Sequence, residues 1–160
     1  GGGLFAKIMS EHSDVILADI SQESIEKAKT YIGKDPESVL IPEDPTDVDI
    51  PETPIDLIFS HTVIHHFPSF NYWLKVFDIW TQRIQPEYFA LQIKIEDETK
   101  ERTDYFQEDN YLNALYLNEN EFVEMFDEAG YKQVNASYKI NKYKNPDLVM
   151  KVGYFVFEKK

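Results

Sequence analysis

The sequence predicts an α/β fold: a mostly parallel sheet with helices between its strands, closed by a C-terminal antiparallel strand pair. Three observations carry this. Short apolar runs alternate with amphipathic segments of helical length along most of the chain, the order expected of βαβ units. Two β-rich runs, 131–140 and 152–158, follow one another across a polar turn holding Asn145-Pro146-Asp147, which predicts an antiparallel pair. The length of 160 residues, 42% of them hydrophobic and 14% aromatic, matches one ordinary domain with a sizeable core. No internal repeat, low-complexity tract or Gly/Ser linker interrupts the chain, so a single domain over 1–160 is expected.

The elements follow in order. In residues 4–12, Leu4, Phe5, Ile8 and Met9 fall at helical spacing. Val15 to Ala18, bounded by Ser13-Asp14 and Asp19, reads as a buried strand. Ser21 is the expected N-cap of the next helix, although Ser24 stands where a capping box has Glu; Glu23 and Glu26 suit the N-terminal end. That helix runs to about Ile32 and stops at Gly33. Val39 to Ile41 is a short strand, and four prolines in 42–54 (Pro42, Pro45, Pro51, Pro54) make a loop. Ile55 to Phe59 is a further buried strand. Phe70, Trp73, Leu74, Phe77, Trp80 and Ile84 then mark an amphipathic helix ending before Pro86. Tyr88 to Ile95 is a strand, and 96–117 fits no single period. Asn118 with Glu121 resembles a capping box, opening a helix through Phe122, Val123 and Phe126 that stops at Gly130.

Charge and composition remove whole function classes. With 16 Lys and Arg against 29 Asp and Glu, the net charge is −13. Binding to a phosphate backbone needs clustered cations, and Arg83 and Arg102 are the only arginines, so nucleic acid is disfavoured as a partner. Lys139, Lys142 and Lys144 read as a solvated loop. No apolar run approaches the roughly 20 residues of a membrane span, and no leader-like segment opens the chain. The absence of cysteine excludes disulfides, thiolate metal sites and a Cys nucleophile. A cytoplasmic location is the default expectation.

Ligands of open α/β sheets bind at the carboxyl ends of the strands, so the residues that follow the strands are the candidates. Gly1-Gly2-Gly3 precedes a helix and lets backbone approach a ligand; a tail at a chain start is the competing reading. Asp19, at the end of its strand and 16 residues beyond Gly3, is placed to accept both hydroxyls of a ribose, with an N-cap or loop acid as the alternative. Asp44-Pro45 follows the strand at 39–41, where an acid suits an exocyclic amine and a proline flanks a ring. Glu43, Asp47, Asp49 and Glu52 leave the choice of acid open. Ser60, His61, His65 and His66 lie just past the strand at 55–59, where a reactive end would sit. Histidine is a general base near neutral pH. His65 and His66, set among Val63, Ile64 and Phe67, read first as structural residues. The four histidines lack the spaced helical pair with Glu of a metal site, so no metal is expected.

Together these segments resemble class I S-adenosylmethionine-dependent methyltransferases of the small methyltransferase-domain type. GGGLFAKIM looks like the tail of the D/E-x-G-x-G-x-G motif, which makes Gly1 and Gly3 its last glycines. VILADIS looks like the second strand with its ribose-binding acid, which gives that role to Asp19 and sets Ile20 against the adenine. In EDPTDVDIPETPIDLIFSHTVIHHF, Asp44 and Asp56 keep the family's interval of about 12 residues, which selects Asp44 with Pro45 for the adenine. FSHTVIHHF, with Ser60, is similar to the segment under the methionine part of the cofactor. ENEFVEMFDEAGYKQV matches the late helix and its Ala-Gly-aromatic ending. The resemblance implies a Rossmann-like three-layer sandwich and S-adenosylmethionine as cofactor. It also implies that the family's first central strand and the opening acid of the glycine motif are missing, as in a fragment of a longer protein. The incomplete sheet then offers an edge for oligomerisation.

In such enzymes methyl transfer is an in-line displacement, helped chiefly by alignment at about 3–3.5 Å and by exclusion of water. His61 and His66 are the candidate bases for an acceptor that must lose a proton. Residues 96–117 and Tyr138 to Asn145 are the expected substrate lid, and their tyrosines fit a partly apolar small molecule. Two rivals stand beside this reading. Gly1-x-Gly3-x-x-Ala6 and Asp19 also satisfy a nicotinamide dinucleotide pattern, which implies an NAD(P)-dependent oxidoreductase. A non-catalytic methyltransferase-like interaction module is the other. A nucleic-acid methyltransferase is disfavoured by charge and by Ser60-His61-Thr62-Val63, where an Asn/Asp-Pro-Pro-Tyr/Phe tetrapeptide would stand.

Overall fold

A computed structural model describes residues 3–96, 114–142 and 149–160, with backbone alone at 141, 142 and 149. Gly1, residues 97–113 of the expected lid at 96–117 and the turn after residue 142 lie outside these residues. The chain divides into two compact units, Gly1–Thr53 and Pro54–Lys160.

The first unit contains α1 (Leu4–Met9), β1 (Leu17–Asp19), α2 (Gln22–Ile32), β2 (Ser38–Leu40) and a 3-10 turn at Pro45–Asp47. The apolar spacing over 4–12 overruns α1. The Ser10 hydroxyl donates to the Lys7 carbonyl at 2.8 Å and that of Ser13 to the Met9 carbonyl at 3.1 Å. Such side chains compete with the helical ladder and turn the chain. Strand β1 starts later than the apolar run, because pairing begins where the Leu17 N–H meets the Glu37 carbonyl at 2.9 Å. It runs parallel to β2, with Asp19 opposite Leu40. As expected, the Ser21 hydroxyl caps α2 by accepting from the Ser24 N–H at 3.2 Å, and Gly33 ends it at φ +75°. Leu17, Ile25 and Ala28 form a small core with Ala6, Val15 and Ile32 against it.

The second unit contains β3 (Leu57–Ser60), a 3-10 turn at Ile64–His66, α3 (Phe70–Asp78), β4 (Tyr88–Ile95), β5 (Tyr116–Leu117), α4 (Glu119–Glu128), β6 (Tyr131–Lys142) and β7 (Val149–Lys159). Its sheet is ordered β3-β4-β7-β6, with β5 paired to the end of β4. Pairings β3–β4 and β4–β5 are parallel, whereas β4–β7 and β6–β7 are antiparallel and longer. This sheet is therefore mixed rather than mostly parallel, because the C-terminal pair sits against β4 along its whole length. The strands of the described residues form two sheets, β1–β2 and this one.

Alternation along β4 fixes what each face does. Phe89, Leu91, Ile93 and Ile95 join Phe155 and Phe157 in a core with Trp73 and Phe77 of α3 and Phe122 and Phe126 of α4. Gln92 and Lys94, opposite Tyr154 and Val152, belong to the other face. Gly153 permits close packing at the first face: a Cβ there would stand 2.4 Å from the Phe155 ring and 2.7 Å from Ile95 Cδ1. The helix expected up to Ile84 is continuous, but its last segment, Ile79–Ile84, is π-helical. The Gln85 N–H reaches back to the Trp80 carbonyl at 2.9 Å, and Gln85 turns out at φ +54°. Asn118 caps α4, its Oδ1 accepting from the N–H groups of Asn120 and Glu121. Among the described residues no helix is long and apolar enough to cross a membrane.

Candidate functional site

Within the first unit, the pairing of β1 with β2 brings two of the expected acids to one end. The Asp19 carbonyl accepts the Ile41 N–H at 2.9 Å, so Asp19 and the loop carrying Asp44 leave the sheet side by side. The Asp19 carboxylate accepts the Ser21 N–H at 2.9 Å, which fixes its orientation at the strand end. Ile20 beside it is 73% exposed, a large apolar side chain on the surface at the carboxyl end of β1. Asp44 caps the 3-10 turn, its Oδ1 accepting from the Thr46 N–H at 3.0 Å and hydroxyl at 2.8 Å, and Pro45 is buried behind it. Gly3 adopts φ +78°, and an added Cβ would lie 2.9 Å from Ala28 Cα. The glycine is thus required twice, by the turn into α1 and by the approach to α2. The first unit thus carries a strand-end carboxylate, a second acid, an exposed apolar side chain and a glycine turn.

Within the second unit, the carboxyl end of β3 builds a second cluster. Ser60 is buried, and its Oγ has no hydrogen-bond partner among the described residues. The His61 ring lies between Phe59 (centroids 6.4 Å apart) and Tyr154 (6.1 Å). Thr62 adopts φ +58°, an outlier for a β-branched residue. Its N–H donates to the amide oxygen of buried Gln92 at 2.8 Å, and its hydroxyl donates to the His61 carbonyl at 2.7 Å. The following 3-10 turn buries His65, whose carbonyl accepts the Leu115 N–H at 2.8 Å. His66 is exposed, its ring 4.1 Å from that of His65. Burial, then the charge of Lys94, lowers the pKa of His66; the same two causes bring His65 to about 3. Both imidazoles are therefore neutral at pH 7 and carry a lone pair.

Sequence reasoning missed Gln92, Lys94 and the Thr62 backbone. The one signal for Gln92 was a polar residue inside the apolar run YFALQIKI, on the face opposite the core. Lys94, with its ammonium 5.8 Å from the Tyr116 ring, is placed by β5, which no local pattern announced.

An α/β domain with an acid at a strand end has parallels among known proteins. A family profile described as a methyltransferase domain matches residues 1–87, more than half of the chain. The chain belongs to the methyltransferase domain family. No curated protein sequence matches it significantly. Among solved structures, the N-methyltransferase NodS of Bradyrhizobium japonicum, in complex with S-adenosyl-L-homocysteine, is similar at a TM-score of 0.71 and 11% identity, over 99% of this chain and 73% of that one. An S-adenosylmethionine-dependent methyltransferase of Methanosarcina mazei gives 0.71 and 12%, over 99% and 87%. The 1,6-didemethyltoxoflavin-N1-methyltransferase of Burkholderia thailandensis, with that substrate and S-adenosylhomocysteine bound, gives 0.63 and 14%, over 100% and 69%. At these identities the likeness is one of fold.

Proposed function

We propose that the protein transfers a methyl group from S-adenosylmethionine to a small-molecule acceptor by in-line displacement. The observation that carries the reading is the family match over 1–87, with Asp19 standing at the end of β1 as the ribose role requires. In this reading Gly1 and Gly3 give the cofactor a close backbone approach. Asp19 accepts from the ribose hydroxyls and Ile20 covers one face of the adenine. Asp44 accepts from the adenine amine, with Pro45 holding the turn that carries it. Ser60 is assigned to the methionine part by the resemblance of FSHTVIHHF to the family's segment. When bound, the cofactor supplies an electrophilic methyl on a sulfonium. The protein's own residues then have two tasks, to hold the acceptor in line and to take its proton. His66, neutral and exposed, is suited to accept that proton, and His61, between two aromatic rings, to position the acceptor.

The test is mass-spectrometric detection of methylated product from a panel of small hydroxylated and aminated aromatics with S-adenosylmethionine. Product that disappears with His66→Ala, while cofactor binding persists, supports both the reaction and the part assigned to His66. Cofactor binding with no product from any acceptor would favour the non-catalytic module.

A further inference from the structure

Resting on the methyl-transfer reading, the geometry points to Gln92 as a positioning residue for the reaction: its side chain holds Thr62 in the left-handed region and thereby sets where His61 meets the acceptor. Thr62 and Gln85 are the non-glycine residues with positive φ among the described residues. Gln85 lies at a helix C-terminus, where that conformation is ordinary. Thr62, at φ +58°, follows a strand, and its branched Cβ makes the conformation unfavourable. Such backbone persists where the surroundings enforce it, and it gathers at functional sites.

The enforcing group is on β4. Pairing of β3 with β4 ends at Ser60, opposite Leu91. The next residue along β4 is Gln92, and its amide oxygen accepts the Thr62 N–H at 2.8 Å. A side chain thus takes over where the ladder stops, and a backbone donor past the strand end is satisfied. Gln92 is 5% exposed, a polar residue in a strand whose neighbours Leu91 and Ile93 are apolar. Burying an amide is unfavourable unless it is hydrogen-bonded, and Thr62 supplies that bond.

The consequence falls on His61. The Thr62 hydroxyl donates to the His61 carbonyl at 2.7 Å, so the two residues turn as one piece. Tyr154 stands opposite Gln92 on β7, and its ring centroid is 6.1 Å from that of His61. The Phe59 ring is 6.4 Å away on β3 and within 4° of parallel to the imidazole. One cross-strand pair therefore supports His61 twice, Gln92 through the backbone of Thr62 and Tyr154 through its ring. A Thr62 relaxed to extended backbone would send the chain off β3 in another direction and take His61 from between the rings. A misplacement of about 1 Å at a reacting centre is worth about 10²-fold in rate.

Variants of the full chain test this. Gln92→Leu removes the acceptor oxygen and Gln92→Glu keeps one. Gln92→Leu combined with Thr62→Asn removes it but leaves a residue that enters the left-handed region more readily. Histidine side-chain NMR reads the place of His61, calorimetry reads S-adenosylmethionine affinity, and product formation with the small aromatic panel reads kcat and KM. Gln92→Leu should move the His61 resonances and lower kcat about 10–100-fold, with S-adenosylmethionine affinity nearly unchanged. Gln92→Glu and the double variant should each recover most of kcat and the original His61 resonances. Unmoved His61 resonances or an unchanged kcat in Gln92→Leu, or recovery in neither rescue variant, overturns the inference. Should Gln92→Leu not fold, amide exchange at Thr62 in the unaltered chain decides: protection is expected, and exchange at the rate of an open loop overturns it. No product from the unaltered chain, alongside the expected His61 movement and recovery, would remove the methyl-transfer reading and leave Gln92 as the residue that places His61.

Discussion

Among the described residues of 1–53 three side chains, Leu17, Ile25 and Ala28, make up the buried apolar cluster; among those of 54–160 one cluster has fourteen, seven of them aromatic besides Trp73. The first unit leaves Leu4, Phe5, Ile8 and Ile20 largely exposed. It fixes its key residues by short-range hydrogen bonds instead, Ser21 to Asp19 and Thr46 to Asp44. The second unit fixes His61, Thr62 and His65 by contacts from β4, β7 and the segment before β5, far away in sequence. Asp19 and Asp44 are thus held locally, whereas His61, Thr62 and His65 depend on the packed core beneath them.

The largest effect should come from that core. Trp73→Ala, at a fully buried position with rings of Phe77, Trp80 and Phe122 around it, is expected to lose about 3–5 kcal/mol in urea unfolding. Ile25→Ala in the small cluster should lose about 2 kcal/mol, because fewer neighbours are left facing a cavity. Equal losses would break the contrast. Asp19→Asn should weaken S-adenosylmethionine binding by about tenfold or more. It should barely change unfolding, since the amide oxygen can still accept the Ser21 N–H. Gly3→Ala meets both a left-handed backbone and the Ala28 backbone, and should cost about 1–3 kcal/mol.

The smallest effect is a pH slope. His65 titrates at about 3 in the folded chain, against 6.5 as its ordinary value, chiefly through burial. The unfolded chain therefore binds the extra proton between these values. The contribution is complete above pH 6.5 and is lost as pH falls toward 3. Urea unfolding from pH 6.5 to 5 should show a slope of at most about 1.4 kcal/mol per pH unit that His65→Gln flattens. An unchanged slope would mean that His65 is not held neutral by the fold.

The same contrast between local and distant support explains which features were legible in the sequence. Ser21, Gly33, Asn118 and Gly130 act within a few residues of themselves, so they marked the helix ends correctly. Apolar runs located β3 and β4; burial imposes the run in β4, whereas β3, expected to be buried, leaves Leu57 and Phe59 exposed. The π-helical end at Ile79–Ile84 was not legible, since one i→i−5 bond replaces an ordinary turn without changing the apolar pattern. Strand β5 has two residues, and only pairing with β4 defines it. Asp19 was legible as a strand-end acid. The surroundings of Thr62 and His65 were not, because Gln92 reaches the first, and Lys94 and Leu115 the second, from segments that local spacing does not connect.

Calorimetric titration of the chain with S-adenosylmethionine and, separately, with NAD tests the central claim most directly. Stoichiometric binding of S-adenosylmethionine, weakened by Asp19→Asn, with no heat from NAD, is the predicted result. Binding of NAD without S-adenosylmethionine would contradict it.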